Sequence, residues 1–241
     1  MRKLSANLVK MIGSSLVIFI FALSVMAQDA STKQKNNLSA EPVVAPAQTG
    51  DDTKNEFSVQ AGFAPDMPRV FGGSRRSKFG FAAFRYSRHL IGSENVALKY
   101  TIDVIPVAVI NYKQQIVVRT SPTTLGIREN EQTVYGFGLT PVGFQLNFRR
   151  QKKVQPFLTA SAGLIRFAKT IPDDRSAFQP NQYGRQMNFT LAAGGGVEFL
   201  TDDGKSVTAG FKFHHISNAY TGRINPGVDS HIFYAGFSLF R

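Results

Sequence analysis

The chain has 241 residues, a formal charge of +12, 43% hydrophobic residues, no cysteine, no tryptophan, and 21 phenylalanines beside 21 glycines. That length allows one domain with a sizeable buried or lipid-facing surface, and the lack of cysteine excludes a fold that relies on disulfides. The basic balance points to anionic partners such as lipid phosphates, or to solvated loop charges that aid solubility.

Residues 1–27 read as a cleaved secretory signal: Arg2, Lys3 and Lys10 make a basic start, Met11 to Val25 an apolar run, and Val25-Met26-Ala27 a small-residue cleavage context. The run is short and wrongly flanked for a transmembrane helix. Residues 28–54 are rich in Ala, Gln, Asn, Asp, Thr and Pro without apolar periodicity, and read as a flexible leader.

From Asn55 to the end the pattern is short runs of Phe, Val, Ala and Gly in period-two alternation. Eight strands are predicted, at 56–64, 77–88, 95–111, 132–148, 154–168, 187–200, 206–217 and 229–240. The connections alternate in length. Pro65–Ser77, Tyr112–Gln132, Lys169–Gln186 and Asn218–Val228 are long, while Arg149–Lys153 and Thr201–Lys205 are short. An even strand count with short turns on one side and long loops on the other is the signature of an all-β, eight-stranded antiparallel outer-membrane β-barrel over 55–241, although alternation alone also fits a β-sandwich. In the barrel the polar rows, with Lys99, Asp103, Glu198 and Lys212, face inward and the apolar rows meet lipid. Pro106 and Thr140-Pro141 mark expected bulges or strand ends.

Strand parity organises the chemistry. Val207, Ala209, Phe211, Phe213, His215 and Ser217 share one face, and His214 takes the other. In the last strand Asp229 opens the apolar row that continues through His231, Phe233 and Phe237. Because the two strands run in opposite directions, His215, Ser217 and Asp229 are expected together on the outer wall at the long-loop edge. A hydroxyl, an imidazole and a carboxylate so placed can perform acyl transfer, with attack by the hydroxyl, proton uptake by the imidazole and tautomer control by the acid. Asn218 is a candidate donor to the developing oxyanion. Arg75, Arg76 and Lys78, beside the first long loop, are candidate contacts for lipid phosphates. No spacing of His, Cys, Asp or Glu suggests a metal site. Gly194-Gly195-Gly196 lacks the Lys-Ser/Thr and the helix of a phosphate loop, so close strand packing or a bend is expected there.

His215-Ile216-Ser217-Asn218-Ala219, the Asn225-Pro226-Gly227 loop, an acid fourteen positions after the histidine and a short aromatic terminal strand together resemble the PagL-type lipid A 3-O-deacylases. The resemblance implies an eight-stranded outer-membrane barrel that hydrolyses an ester-linked acyl chain of lipid A. It implies Ser217 as nucleophile, His215 as general base and Asp229 as orienting acid, with no cofactor. The chain departs from the family pattern in the acid, an aspartate where the pattern has glutamate. Lipid A or lipopolysaccharide is then the expected partner, in the bacterial outer membrane, and nucleic acid is not. Two alternatives remain open on the residues: a non-enzymatic structural or adhesive barrel, and a lipid A acyltransferase on a similar barrel.

Overall fold

A computed structural model describes residues 55–65 and 77–240. The expected signal, the expected leader, Arg75 and Arg76 lie outside the described residues. Eight strands form: β1 (Asn55–Ala64), β2 (Ser77–Gly92), β3 (Val96–Ser121), β4 (Thr124–Phe148), β5 (Val154–Asp173), β6 (Tyr183–Leu200), β7 (Lys205–Ser217) and β8 (Val228–Phe240). Each pairs antiparallel with its neighbours, and β1 pairs with β8 from Glu56↔Phe240 to Phe63↔Phe233, which closes the barrel. Closure leaves no sheet edge within the ring and rules out the sandwich.

The outward rows carry the apolar side chains. Phe63, Phe84, Phe137 and Phe233 remain 54%, 58%, 58% and 55% exposed, and a girdle of large aliphatic and aromatic residues continues from Phe57 to Leu239. So much contiguous exposed apolar surface is stable against hydrocarbon and not against water.

The inward rows divide into two layers. At the short-turn end Lys99 bonds Glu56 at 2.9 Å and Glu198 at 3.1 Å, while Asn147 and Ser206 donate to Glu198 at 2.6 and 2.8 Å. Above them Arg85 makes a two-point pair with Asp103 at 2.6 and 2.9 Å, and the Lys212 ammonium stands over the rings of Phe81 and Tyr234. Every one of these ionic groups is buried. At the long-loop end the interior becomes apolar, with Phe79, Ile110, Val134, Ile165, Phe167, Ile216 and Ile232 packed into one cluster. The barrel is therefore filled, and the outer wall near β7 and β8 has a solid backing.

Two features differ from expectation. The segment 112–132, read as a loop, is a ladder in which Tyr112 pairs with Gln132 and Arg119 with Leu125 before a tight turn at Pro122-Thr123. β5 and β6 likewise run past the expected strand ends to Asp173 and Tyr183. Alternation of apolar residues reports contact with lipid or core, whereas a ribbon above the membrane needs only its backbone pairing, so Lys113-Gln114-Gln115 hides the strand. Pro106 falls at a register shift between Ile105 and Ala108, and Pro141 at another between Leu139 and Val142, so both prolines mark bulges inside the ladder.

Lys99→Met would leave Glu56 and Glu198 buried without their cation. It is expected to destabilise the barrel by about 3–5 kcal/mol, read as a lower urea midpoint for the folded species in detergent; an unchanged midpoint would show that the carboxylates are held by other groups.

Candidate active site

The site begins with register. Close approach of β6 to β7 fixes one side, since a side chain at Gly194 would overlap the backbone of Phe211 and Lys212 and one at Gly196 that of Ala209. That approach sets Leu191 opposite His215 and Phe189 opposite Ser217. On the other side β8 places Asp229 directly opposite His215. Directly opposed side chains on one face lie within easy reach, and His215 Nδ1 stands 2.6 Å from Asp229 Oδ1. The carboxylate is 2% exposed and the imidazole 26%. A buried carboxylate at that distance favours the tautomer with hydrogen on Nδ1, leaving Nε2 as the basic nitrogen.

His215 and Ser217 share the outward row, and Ser217 is the last residue of β7. His214 turns inward and packs against the Phe79 ring at a centroid distance of 5.1 Å. His231 is on the outward row of β8, edge-on to the rings of Phe211 and Phe213.

Beyond Ser217 the chain turns back sharply. Ala219 and Tyr220 adopt φ of 50° and 61°, and Gly227 adopts 67°. The left-handed residues at 219 and 220 tighten a turn closed by Thr221 N and Oγ1 on the Asn218 carbonyl, at 3.0 and 2.7 Å. The loop is tied to β6 by Arg223 N and Ile224 N, both 3.1 Å from the Tyr183 carbonyl oxygen, and by Arg185 Nε donating to Thr221 O at 2.7 Å. This fold brings Asn225 over the serine. Asn225 Nδ2 donates to Ser217 Oγ at 2.9 Å, Ser217 Oγ can donate to Asn225 Oδ1 at 3.2 Å, and Ala219 N donates to Ser217 Oγ at 3.1 Å. Among the described residues the serine hydroxyl thus bonds to the loop and not to His215.

Asn218, the expected oxyanion donor, is buried; its Nδ2 donates to the Ile224 carbonyl at 2.8 Å and its backbone N–H to Asn225 Oδ1 at 3.1 Å, so the backbone donor and one of its two amide hydrogens hold the loop. Asn225, unassigned in the sequence apart from its place in the Asn-Pro-Gly motif, carries the side-chain amide that bonds the Ser217 hydroxyl. Only the positive-φ turn brings it there. Lys78 is exposed on β2, a strand that contacts neither β6 nor β7 in the ladder. Among the described residues no group of three or more His, Cys, Asp or Glu side chains could hold a metal ion.

The model of the lipid A 3-O-deacylase (PagL) family matches residues 96–238, more than half of the chain and a span within which His215, Ser217 and Asp229 fall. Among solved structures, the crystal structure of the outer membrane enzyme PagL aligns with a TM-score of 0.51 at 16% identity, covering 74% of this chain and 97% of that one. The crystal structure of Neisserial surface protein A aligns with a TM-score of 0.43 at 15% identity, covering 78% of this chain and 98% of that one. No curated protein sequence matches the chain. At 16% identity the likeness to the PagL structure speaks for the barrel alone, and the family model carries the assignment: the chain belongs to the lipid A 3-O-deacylase (PagL) family.

Proposed function

We propose that this protein is an outer-membrane esterase that hydrolyses the ester-linked acyl chain at the 3-position of a lipid A glucosamine, using Ser217, His215 and Asp229 and no cofactor. The reading is supported above all by one observation: a histidine bonded to a buried carboxylate, with a serine next along the same lipid-facing row, at the membrane edge of the barrel. Residues 1–27 would direct export and be removed.

In this mechanism the acyl chain lies along the apolar wall and presents its ester at the depth of Ser217, so the substrate need not leave the bilayer. Ser217 Oγ gives up its bonds to Asn225 by rotating about χ1 and turns toward His215 Nε2, which accepts the proton as Oγ attacks the ester carbonyl. Asp229 keeps the Nδ1 proton in place and stabilises the imidazolium that forms. The carbonyl oxygen becomes an oxyanion, and Asn225 Nδ2, which bonds the serine hydroxyl at rest and is released by its rotation, donates to it. Collapse breaks the bond to the sugar oxygen, which takes the proton from His215 and leaves as the 3-hydroxyl. Water, activated by the same imidazole, then releases the fatty acid from Ser217.

Ser217→Ala and His215→Ala are each expected to leave the barrel folded while lipid A retains full acylation by mass spectrometry. A normal deacylation product from either folded variant contradicts the assignment, and recovery of the chain esterified to a second lipid instead of as free acid would mark an acyltransferase. Asp229→Asn, which keeps the shape and removes the charge, is expected to lower kcat on the order of a hundredfold or more, with Asp229→Glu retaining most activity. Asn225→Ala is expected to lower kcat by roughly 10²–10³ with a smaller effect on KM; an equal loss in KM alone would make it a substrate-binding residue.

A further inference from the structure

The outward rows of β5 and β6 end in a feature that the acyl-transfer chemistry leaves unused. On β5 the apolar row runs Leu158, Leu164 and then Arg166; on β6 it runs Leu191, Phe189, Met187 and then Arg185. The replacement of aliphatic groups by guanidinium groups on neighbouring strands marks the height at which hydrocarbon gives way to lipid head groups. Register ties that height to the serine. Leu164 pairs with Phe189 and Phe189 with Ser217, while Arg166 pairs with Met187. Arg166 therefore stands one outward step above the Ser217 level and Arg185 two, each step being about 6–7 Å along a strand.

Both guanidiniums are oriented without being neutralised. Arg166 Nη2 donates to Gln186 Oε1 at 3.1 Å, and Arg185 Nε donates to the Thr221 carbonyl at 2.7 Å. These are neutral acceptors, and among the described residues neither arginine forms a salt bridge. Each is exposed and keeps N–H groups beyond the one so engaged. Arg185 is also fastened to the loop that carries Asn225, so an anion bound there would be coupled to the loop covering the serine.

We propose that Arg166 and Arg185 form a phosphate subsite for the substrate's own head group, distinct from Lys78 on β2, which anchors the phosphorylated glucosamine so that its acyl ester falls at Ser217. This inference rests on the deacylase reading and adds which part of the substrate selects it. The chemistry suits the residues. A planar guanidinium pairs with phosphate oxygens through two parallel hydrogen bonds, and a sugar phosphate lies toward water from an acyl ester on the same ring.

The test uses the full-length folded protein in neutral-detergent micelles, where the substrate supplies the only phosphate, with bisphosphorylated lipid A and the same lipid A after removal of both phosphates. For Arg166→Gln, which leaves the Arg185–Thr221 bond in place, the expected result on the phosphorylated substrate is a KM raised on the order of tenfold with kcat nearly unchanged, and adding Arg185→Gln is expected to raise that KM further, to on the order of a hundredfold. On the dephosphorylated substrate the KM of both variants should match that of the wild type. The variant with both arginines changed to lysine should recover part of the loss on the phosphorylated substrate alone. Equal losses on both substrates would overturn the subsite in favour of a structural role, and no loss on either would overturn it outright. A wild type inactive on both would overturn the deacylase reading itself, a result separate from either of those.

Discussion

In hydrocarbon a backbone amide or carbonyl without a partner has no water to turn to, and the chain meets that constraint by pairing β8 back onto β1. Once the ladder is closed, register is no longer adjustable strand by strand. A slip of one residue in β7 would send His215 and Ser217 inward and expose His214 and Lys212 to lipid. The same closure that makes the barrel stable thus decides which of two adjacent histidines meets the membrane and which packs on Phe79.

The interior supports this arrangement in two chemically different ways. The buried ionic layer of Glu56, Lys99, Glu198, Arg85 and Asp103 ties β1, β2, β3 and β6 together across the lumen, and removal of Lys99 strands two carboxylates at once. Toward the long loops the apolar cluster around Ile110, Phe167, Ile216 and Ile232 backs the wall on which His215 and Asp229 meet. Ile216 belongs to the same three-residue stretch as His215 and Ser217, so its anchoring in the core holds the outward pair on either side of it in place.

Much of this was legible in the residues because membrane strands print their two environments directly as alternation. The strand count, the inward charges and the shared row of His215, Ser217 and Asp229 all follow from parity. What lay beyond parity was hidden for physical reasons. The ribbon from Tyr112 to Gln132 stands outside both lipid and core, so its side chains carry no periodic signature. Asn225 is folded back over Ser217 by a turn through two positive-φ residues, the non-glycines Ala219 and Tyr220, whose identities give no hint of that backbone. Asn218, adjacent to the serine in sequence, has its side-chain amide turned by the same loop onto the Ile224 carbonyl.

The account depends on Ser217 being a nucleophile activated by His215 on the lipid-facing wall. The most direct measurement is reaction of the folded protein with a long-chain fluorophosphonate, followed by peptide mass spectrometry. A single covalent adduct on Ser217, lost in His215→Ala, is the predicted result. An adduct on another residue, or none on Ser217 in a preparation that deacylates lipid A, would contradict it.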